Sequence, residues 1–240
     1  LPAGDGRFPT TSWRFIRVVQ DRDHPEHRDA ANRFVTLYWK PVFYFLRAHR
    51  LPFHDAQDAT QEFLIRFLGP DALGRAVEGR GRFRSFLLGV LKHFLSDRGP
   101  QRAPRPVVFE RGFVRVSELV GDEERAYEPA ADETPDAVFD RQWAAGVWET
   151  VRRQLRERYA QEGRSVWYDL FIAYSAPEGK RPSQEALAEQ LGLSRDQVRD
   201  ILDKVRKRWE RLLRAEVREQ VGSEADVDDE MRELLRLLGR

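Results

Sequence analysis

Cysteine is absent from all 240 residues, which excludes disulfides and thiolate metal sites and fits a reducing cytoplasm. The five histidines, at 24, 27, 49, 54 and 93, never fall into His-Glu-x-x-His or another dense ligand spacing. His24 and His27 flank Pro25 in a charged stretch that reads as a solvated loop. No apolar run approaches the ~18 residues a membrane span needs, and the first residues lack the apolar core of a signal peptide. No glycine-rich phosphate loop precedes a helix and a lysine, "GRGRF" lacks the Walker and Rossmann spacings, and no Gly-x-Ser-x-Gly elbow occurs. Carboxylates abound, but on exposed helical faces they usually serve as solubilising charge. The reading is therefore a soluble protein without catalytic site, metal or cofactor.

What is present is charge, 34% of residues against 41% apolar, distributed unevenly along a chain whose formal net charge is only +1. From Arg75 to Arg102 the bases Arg75, Arg80, Arg82, Arg84, Lys92, Arg98 and Arg102 face only Glu78 and Asp97. The next stretch reverses sign through Glu118, Asp122, Glu123, Glu124, Glu128, Asp132, Glu133 and Asp136. "KVRKRWERLLR" turns basic again. Apolar spacing near 3.6 residues, as in Phe34, Leu37, Tyr38, Pro41, Val42 and Phe45, predicts helices over 11–98 and again from Ala137 to about Val221. Between them Pro100, Pro104, Pro106, Pro129 and Pro135, with only the short β-like runs "PVVF" and "FVRV", read as a linker. The expected fold is all-α, with helical domains over 1–98 and 138–221, a Pro-rich acidic linker over 99–137, and an acidic tail over 222–240. In that tail Val227, Met231, Leu234, Leu235 and Leu238 fit a short amphipathic helix.

The sharpest local signal is "SQEALAEQLGLSRDQVRDIL". Ser183 after Pro182 is a helix N-cap, and Gly192 can take the left-handed conformation of a tight turn. Ser194 with Gln197 three residues on is the signature of a capping box opening a second helix. Val198, Leu202, Val205, Trp209 and Leu212 give that helix a buried stripe. This is the helix-turn-helix pattern, whose second helix enters the major groove; the plainer reading is a helical hairpin in an all-α core.

A second module begins with "DAQDATQEFLIRFL". Ala59, Phe63 and Phe67 would face inward and leave Asp58, Gln61, Glu62 and Arg66 outside. "GRGRFRSFLLGVLKHFLSDR" follows, interleaving arginines with Phe83 and Phe86. Basic groups supply phosphate contacts, and aromatic faces stack on unpaired bases at ~1–3 kcal/mol each. For Phe86, Leu87, Val90 and Phe94 a core position is the better reading.

In order, "LYWKPVFYFLR", these two stretches, "EPAADETPDAVFDRQWA" and the terminal helix-turn-helix resemble an extracytoplasmic-function sigma factor of bacterial RNA polymerase, closest to the planctomycete-type group. The resemblance covers roughly 11–221. It implies an N-terminal domain that binds the polymerase clamp coiled coil and melts the −10 element, and a C-terminal domain that reads the −35 element beside the flap. Asp58, Gln61, Glu62 and Arg66 then become polymerase contacts, their carboxylates complementing a basic surface. Arg80, Arg82, Arg84, Lys92 and His93 fall near the melted −10 DNA. The −35 contacts fall to Arg195, Arg199, Asp200, Asp203, Lys204, Arg206 and Lys207. Promoter DNA and core polymerase are the implied partners, an anti-sigma factor or activator a further one, and the bacterial cytoplasm and nucleoid the implied location. The linker's acidity reads either as a solvated tether or as a mimic of nucleic acid.

The second helix departs from the family. Stepping ~100° per residue from Val198 puts Asp196, Asp200 and Asp203 within ~40° of the opposite, DNA-facing side. Members often carry a small, neutral or basic residue at the positions of Asp200 and Asp203. Asp196 suits the helix dipole, and Asp200 with Lys204 and Asp203 with Lys207 have the spacing of surface ion pairs. Alternatively an aspartate accepts from a cytosine amino group, or the face has ceased to read DNA strongly. The functions considered are a promoter-selecting sigma factor, a sigma-like regulator acting through protein contacts, which the acidic face supports, and a stand-alone helix-turn-helix regulator, which leaves the N-terminal motifs unexplained.

Overall fold

A computed structural model describes residues 13–77, 82–98, 114–130, 132–175, 181–221 and 225–239. Among the described residues all regular structure is helical, as expected. The helices are α1 (Trp13–Gln20), α2 (His27–Ala48), α3 (Phe53–Phe67), α4 (Pro70–Leu73), α5 (Phe83–Arg98), α6 (Val116–Leu119), α7 (Asp122–Ala126), α8 (Pro135–Gln161), α9 (Ser165–Tyr174), α10 (Gln184–Leu191), α11 (Arg195–Gln220) and α12 (Ala225–Leu237). Contacts gather them into two compact units, 1–146 with 217–240, and 147–216. Both divisions fall inside a helix, in α8 and in α11. No helix is long and apolar enough to cross a membrane, among the described residues.

The larger unit is built on an aromatic core. Phe34 of α2 stacks on Phe67 of α3 at 5.4 Å between ring centroids and meets Phe83 of α5 edge-on at 6.0 Å. Trp13 closes on Phe83 from α1, and Phe94 on Phe63. Such edge-on and stacked pairs contribute ~0.5–1.5 kcal/mol beyond their buried area. Phe83 is therefore core and unavailable for stacking on a base, while Phe86 is half-buried against Phe67 and Phe83. Leu87 and Phe94 are buried, as expected for core positions, and Val90 is half-buried.

The expected linker needs correcting where it is described. Rather than a tether, 114–130 folds onto α2 and α3 as α6 and α7. Val116 is buried and its N–H donates to Oε1 of Gln61. Arg47, at the end of α2, donates to the Leu51 carbonyl at 2.7 Å and the Tyr127 carbonyl at 2.9 Å. The Glu124 carboxylate, 3% exposed, lies 2.9 Å from Lys40 Nζ and accepts from the Gly121 N–H. Burial works against its charge, but Lys40 and the Gly121 amide together hold its pKa below the usual carboxylate range. Part of the acidic run is thus held in internal pairs, Glu133 with Arg141 being another. "PVVF" lies outside the described residues.

In the smaller unit α8 turns into α9 through Gly163 (φ 67°), with the Arg164 N–H donating to the Tyr159 carbonyl. Trp209 of α11 packs edge-on to Trp148 at 5.2 Å and near Phe171 at 6.4 Å. Every member of the expected stripe, Val198, Leu202, Val205, Trp209 and Leu212, is buried.

Candidate nucleic-acid interface

The α10–α11 pair is fixed by local chemistry. Ser183 is extended and its Oγ accepts from the Ala186 N–H at 3.1 Å. At the other end Gly192 is left-handed (φ 64°, ψ 32°), and the Leu193 N–H returns to the Ala188 carbonyl at 2.9 Å. Ser194 and Gln197 then cap α11 reciprocally: the Gln197 N–H donates to Ser194 Oγ at 3.2 Å and the Ser194 N–H to Gln197 Oε1 at 2.7 Å. The two helices are joined by three residues, Gly192, Leu193 and Ser194, with the start of α11 in solvent.

That exposed surface carries Arg195, Asp196, Arg199, Asp200, Asp203, Lys204, Arg206 and Lys207, all of them exposed. Arg195 reaches back to Glu185 of α10 at 2.9 Å. The Glu185 carboxyl is held below its usual range, first by a backbone N–H and then by Arg195. Arg199 pairs with Asp196 at 3.0 Å. The ion pairs expected for Asp200 and Asp203 do not form: Lys204 instead lies over the Trp167 ring, 5.7 Å from its centroid. Attraction to the indole face and packing of the stem give Lys204 this partner in place of Asp200. The face is thus five bases at the edges and, in the middle, two carboxylates with no ion pair among the described residues.

In the larger unit the expected polymerase contacts separate. Asp58 is exposed, and Gln61 is half-buried with its amide oxygen held by Val116. Glu62 was expected outside and is buried, 4% exposed, with Arg66 at 2.5 Å and Arg98 at 3.7 Å. The error has a plain cause: one helix pattern shows which face meets the main core, but not that Arg98 at the end of α5 comes over the flank of α3. Arg66 stays half in solvent and lies over the Phe94 ring.

The expected −10 residues divide in the same way. Arg80 lies outside the described residues. Arg84, expected near the melted DNA, is buried and so does not face solvent. Its Nε donates to Glu230 Oε1 at 2.7 Å, its Nη2 to Oε2 at 3.3 Å, its Nη1 to Asp140, and its plane lies 4.4 Å from the Trp143 centroid. Burial opposes its charge, but Glu230 and Asp140 outweigh that and push its pKa further up. Asp140 moves the other way for a paired acid, pushed up by burial and by Glu233 and Glu230 against the pull of Arg84. Arg82 Nε meets the same Glu230 at 2.7 Å. Lys92 pairs with Asp136 at 2.5 Å, and exposed His93 lies 3.5 Å from Asp97.

Glu230, Asp140 and Trp143 escaped the sequence reading. The signal for Glu230 was available: it stands three residues after Val227 and four before Leu234, inside the apolar stripe of α12. Among the described residues no group of three or more histidine and acidic side chains is placed to hold a metal ion. Comparison with protein-family models, with curated proteins and with solved structures returned no match to this chain.

Proposed function

We propose that this chain is a sigma-type transcription initiation factor that joins core RNA polymerase and directs it to promoter DNA. The observation that carries the reading is the α10–α11 geometry: a left-handed Gly192 turn, a reciprocal Ser194–Gln197 cap, and a solvent-facing α11 edged with Arg195, Arg199, Lys204, Arg206 and Lys207. Helix-turn-helix modules dock the second helix with its N-terminal residues on base edges. Here the edge bases hold phosphates, and Asp200 or Asp203 accepts from a cytosine amino group. Duplex affinity is then weak and salt-dependent, falling with a slope of about −0.9 per phosphate held. Asp58 and Arg66 are the members of the expected set that stay exposed on α3, and the Asp58 carboxylate is the one open to a basic surface on the polymerase clamp. The flap, and an anti-sigma factor or activator, are further partners under this reading, which places the protein at the bacterial nucleoid and assigns it no catalysis.

A second reading is favoured by one observation, the absence of ion pairs at exposed Asp200 and Asp203 among the described residues. A sigma-like regulator would use that acidic centre on a basic protein surface. A stand-alone helix-turn-helix repressor predicts duplex binding without polymerase.

The deciding experiment is co-elution with purified bacterial core polymerase, wild type against Asp58→Lys. Glu62 is left alone because its burial would mix unfolding into the result. Stable co-elution that Asp58→Lys weakens at least tenfold supports the sigma reading. Absence of co-elution removes it and leaves the repressor and a regulator that acts on another protein.

A further inference from the structure

The exposed edge of α12 is strongly acidic in sequence, yet its one deeply buried acid, Glu230, 1% exposed, points inward between Val227 and Leu234, both fully buried. A carboxylate in an apolar seam is expensive unless it is paired, and here the pairs are unusual. One carboxylate serves two guanidiniums: Oε1 takes Arg84 Nε, and Oε2 takes Arg82 Nε, with Arg84 Nη2 at 3.3 Å. Two oxygens spanning two arginines is the way a phosphate is held. Asp140 meanwhile keeps Arg84 Nη1, and Trp143 lies under its plane. If α12 were lifted, Arg84 would remain oriented by those two groups, with Nε and Nη2 open. Arg82, a third exposed even now, would stand beside it. The local balance would change from two bases against two acids to two against one.

We propose that α12 is an intramolecular lid whose Glu230 carboxylate occupies a nucleic-acid phosphate site formed by Arg82 and Arg84. The phosphate enters only when the helix leaves. This rests on the reading of those arginines as nucleic-acid contacts. It adds that the chain described here is in a self-blocked state, relieved by whatever displaces α12.

The test uses the full chain and a fluorescein-labelled single-stranded 20-nucleotide DNA, read by anisotropy across a salt series. Two variants open the lid differently. Glu230→Gln removes the charge and keeps the shape, whereas Leu234→Asp puts a charge into the apolar seam. Each is expected to tighten binding at least tenfold at low salt and to steepen the salt dependence by one to two phosphates' worth, a slope of about −0.7 each for single strands. Adding Arg82→Gln to either variant should abolish the gain. Folded variants that bind like the wild type overturn the lid, and so does a gain that survives Arg82→Gln. Should both variants fail to fold, hydrogen exchange on the wild type decides. Loss of amide protection over 225–237 with rising oligonucleotide supports the lid, and unchanged protection at the highest concentration overturns it. Core-polymerase co-elution is read separately, so a lid that opens in a chain that never binds polymerase counts against the sigma reading alone.

Discussion

Single residues decide most of what distinguishes this chain, and Glu124 is the one whose role can be isolated by pH. Its carboxylate is buried and held by Lys40 and the Gly121 N–H, with its pKa lowered. A depressed carboxylate contributes stability above its unfolded pKa, and the contribution fades as pH falls through the folded one. Lys40→Gln removes the ion pair and leaves the acid buried with the Gly121 amide, a loss of about 1–3 kcal/mol at neutral pH. In urea titrations the gap between wild type and variant should be largest near pH 7 and close as the solution passes below the carboxylate range. A gap that stays constant with pH would mean Lys40 matters only through packing on α2. Tyr44 adds to the same corner: burial, then the charge of Glu124, pushes its hydroxyl up to about 12, and its ring meets Tyr127 at 4.5 Å.

At the scale of elements, the turn between α10 and α11 makes the plainest claim. Nothing lies within 4 Å of where a Cβ on Gly192 would sit, so its left-handed φ of 64° is the whole reason for glycine there. Gly192→Ala should therefore cost roughly 1–2 kcal/mol from backbone strain without a clash. Its folded fraction should keep the wild-type circular dichroism while its melting temperature drops. A loss beyond ~4 kcal/mol would point to packing that the open space around Gly192 does not contain. This turn was legible in the sequence because each of its bonds joins residues within five positions of one another. The stripe from Val198 to Leu212 was legible for the same reason. Glu62 was not, since its burial depends on Arg98 from another helix. Arg84 was less so still, because its partner Glu230 lies 146 positions away. Periodicity reports which face of a helix is apolar; it does not report which distant element will cover the rest, and so α6 and α7 read as tether.

For the whole molecule, the useful fact is that the two candidate surfaces belong to different compact units, Asp58 to 1–146 with 217–240 and the face of α11 to 147–216. Substitutions in groups that share no partners are expected to act additively, within ~0.3–0.5 kcal/mol. Replacing Asp200 and Asp203 with Asn removes two charges that repel the phosphate backbone and that no ion pair among the described residues offsets. If those aspartates only oppose the backbone, duplex DNA of any sequence should bind several-fold tighter, with core-polymerase binding unchanged within twofold. If either reads a cytosine, the gain should appear on random duplex while discrimination between promoter sequences falls, since each base contact contributes ~1–3 kcal/mol of specificity. Anisotropy on random duplex, with sequence selection from a randomised pool, separates the two. A double variant that loses polymerase binding instead would show that the acidic centre of α11 meets protein, and the regulator reading would then replace the promoter-reading one.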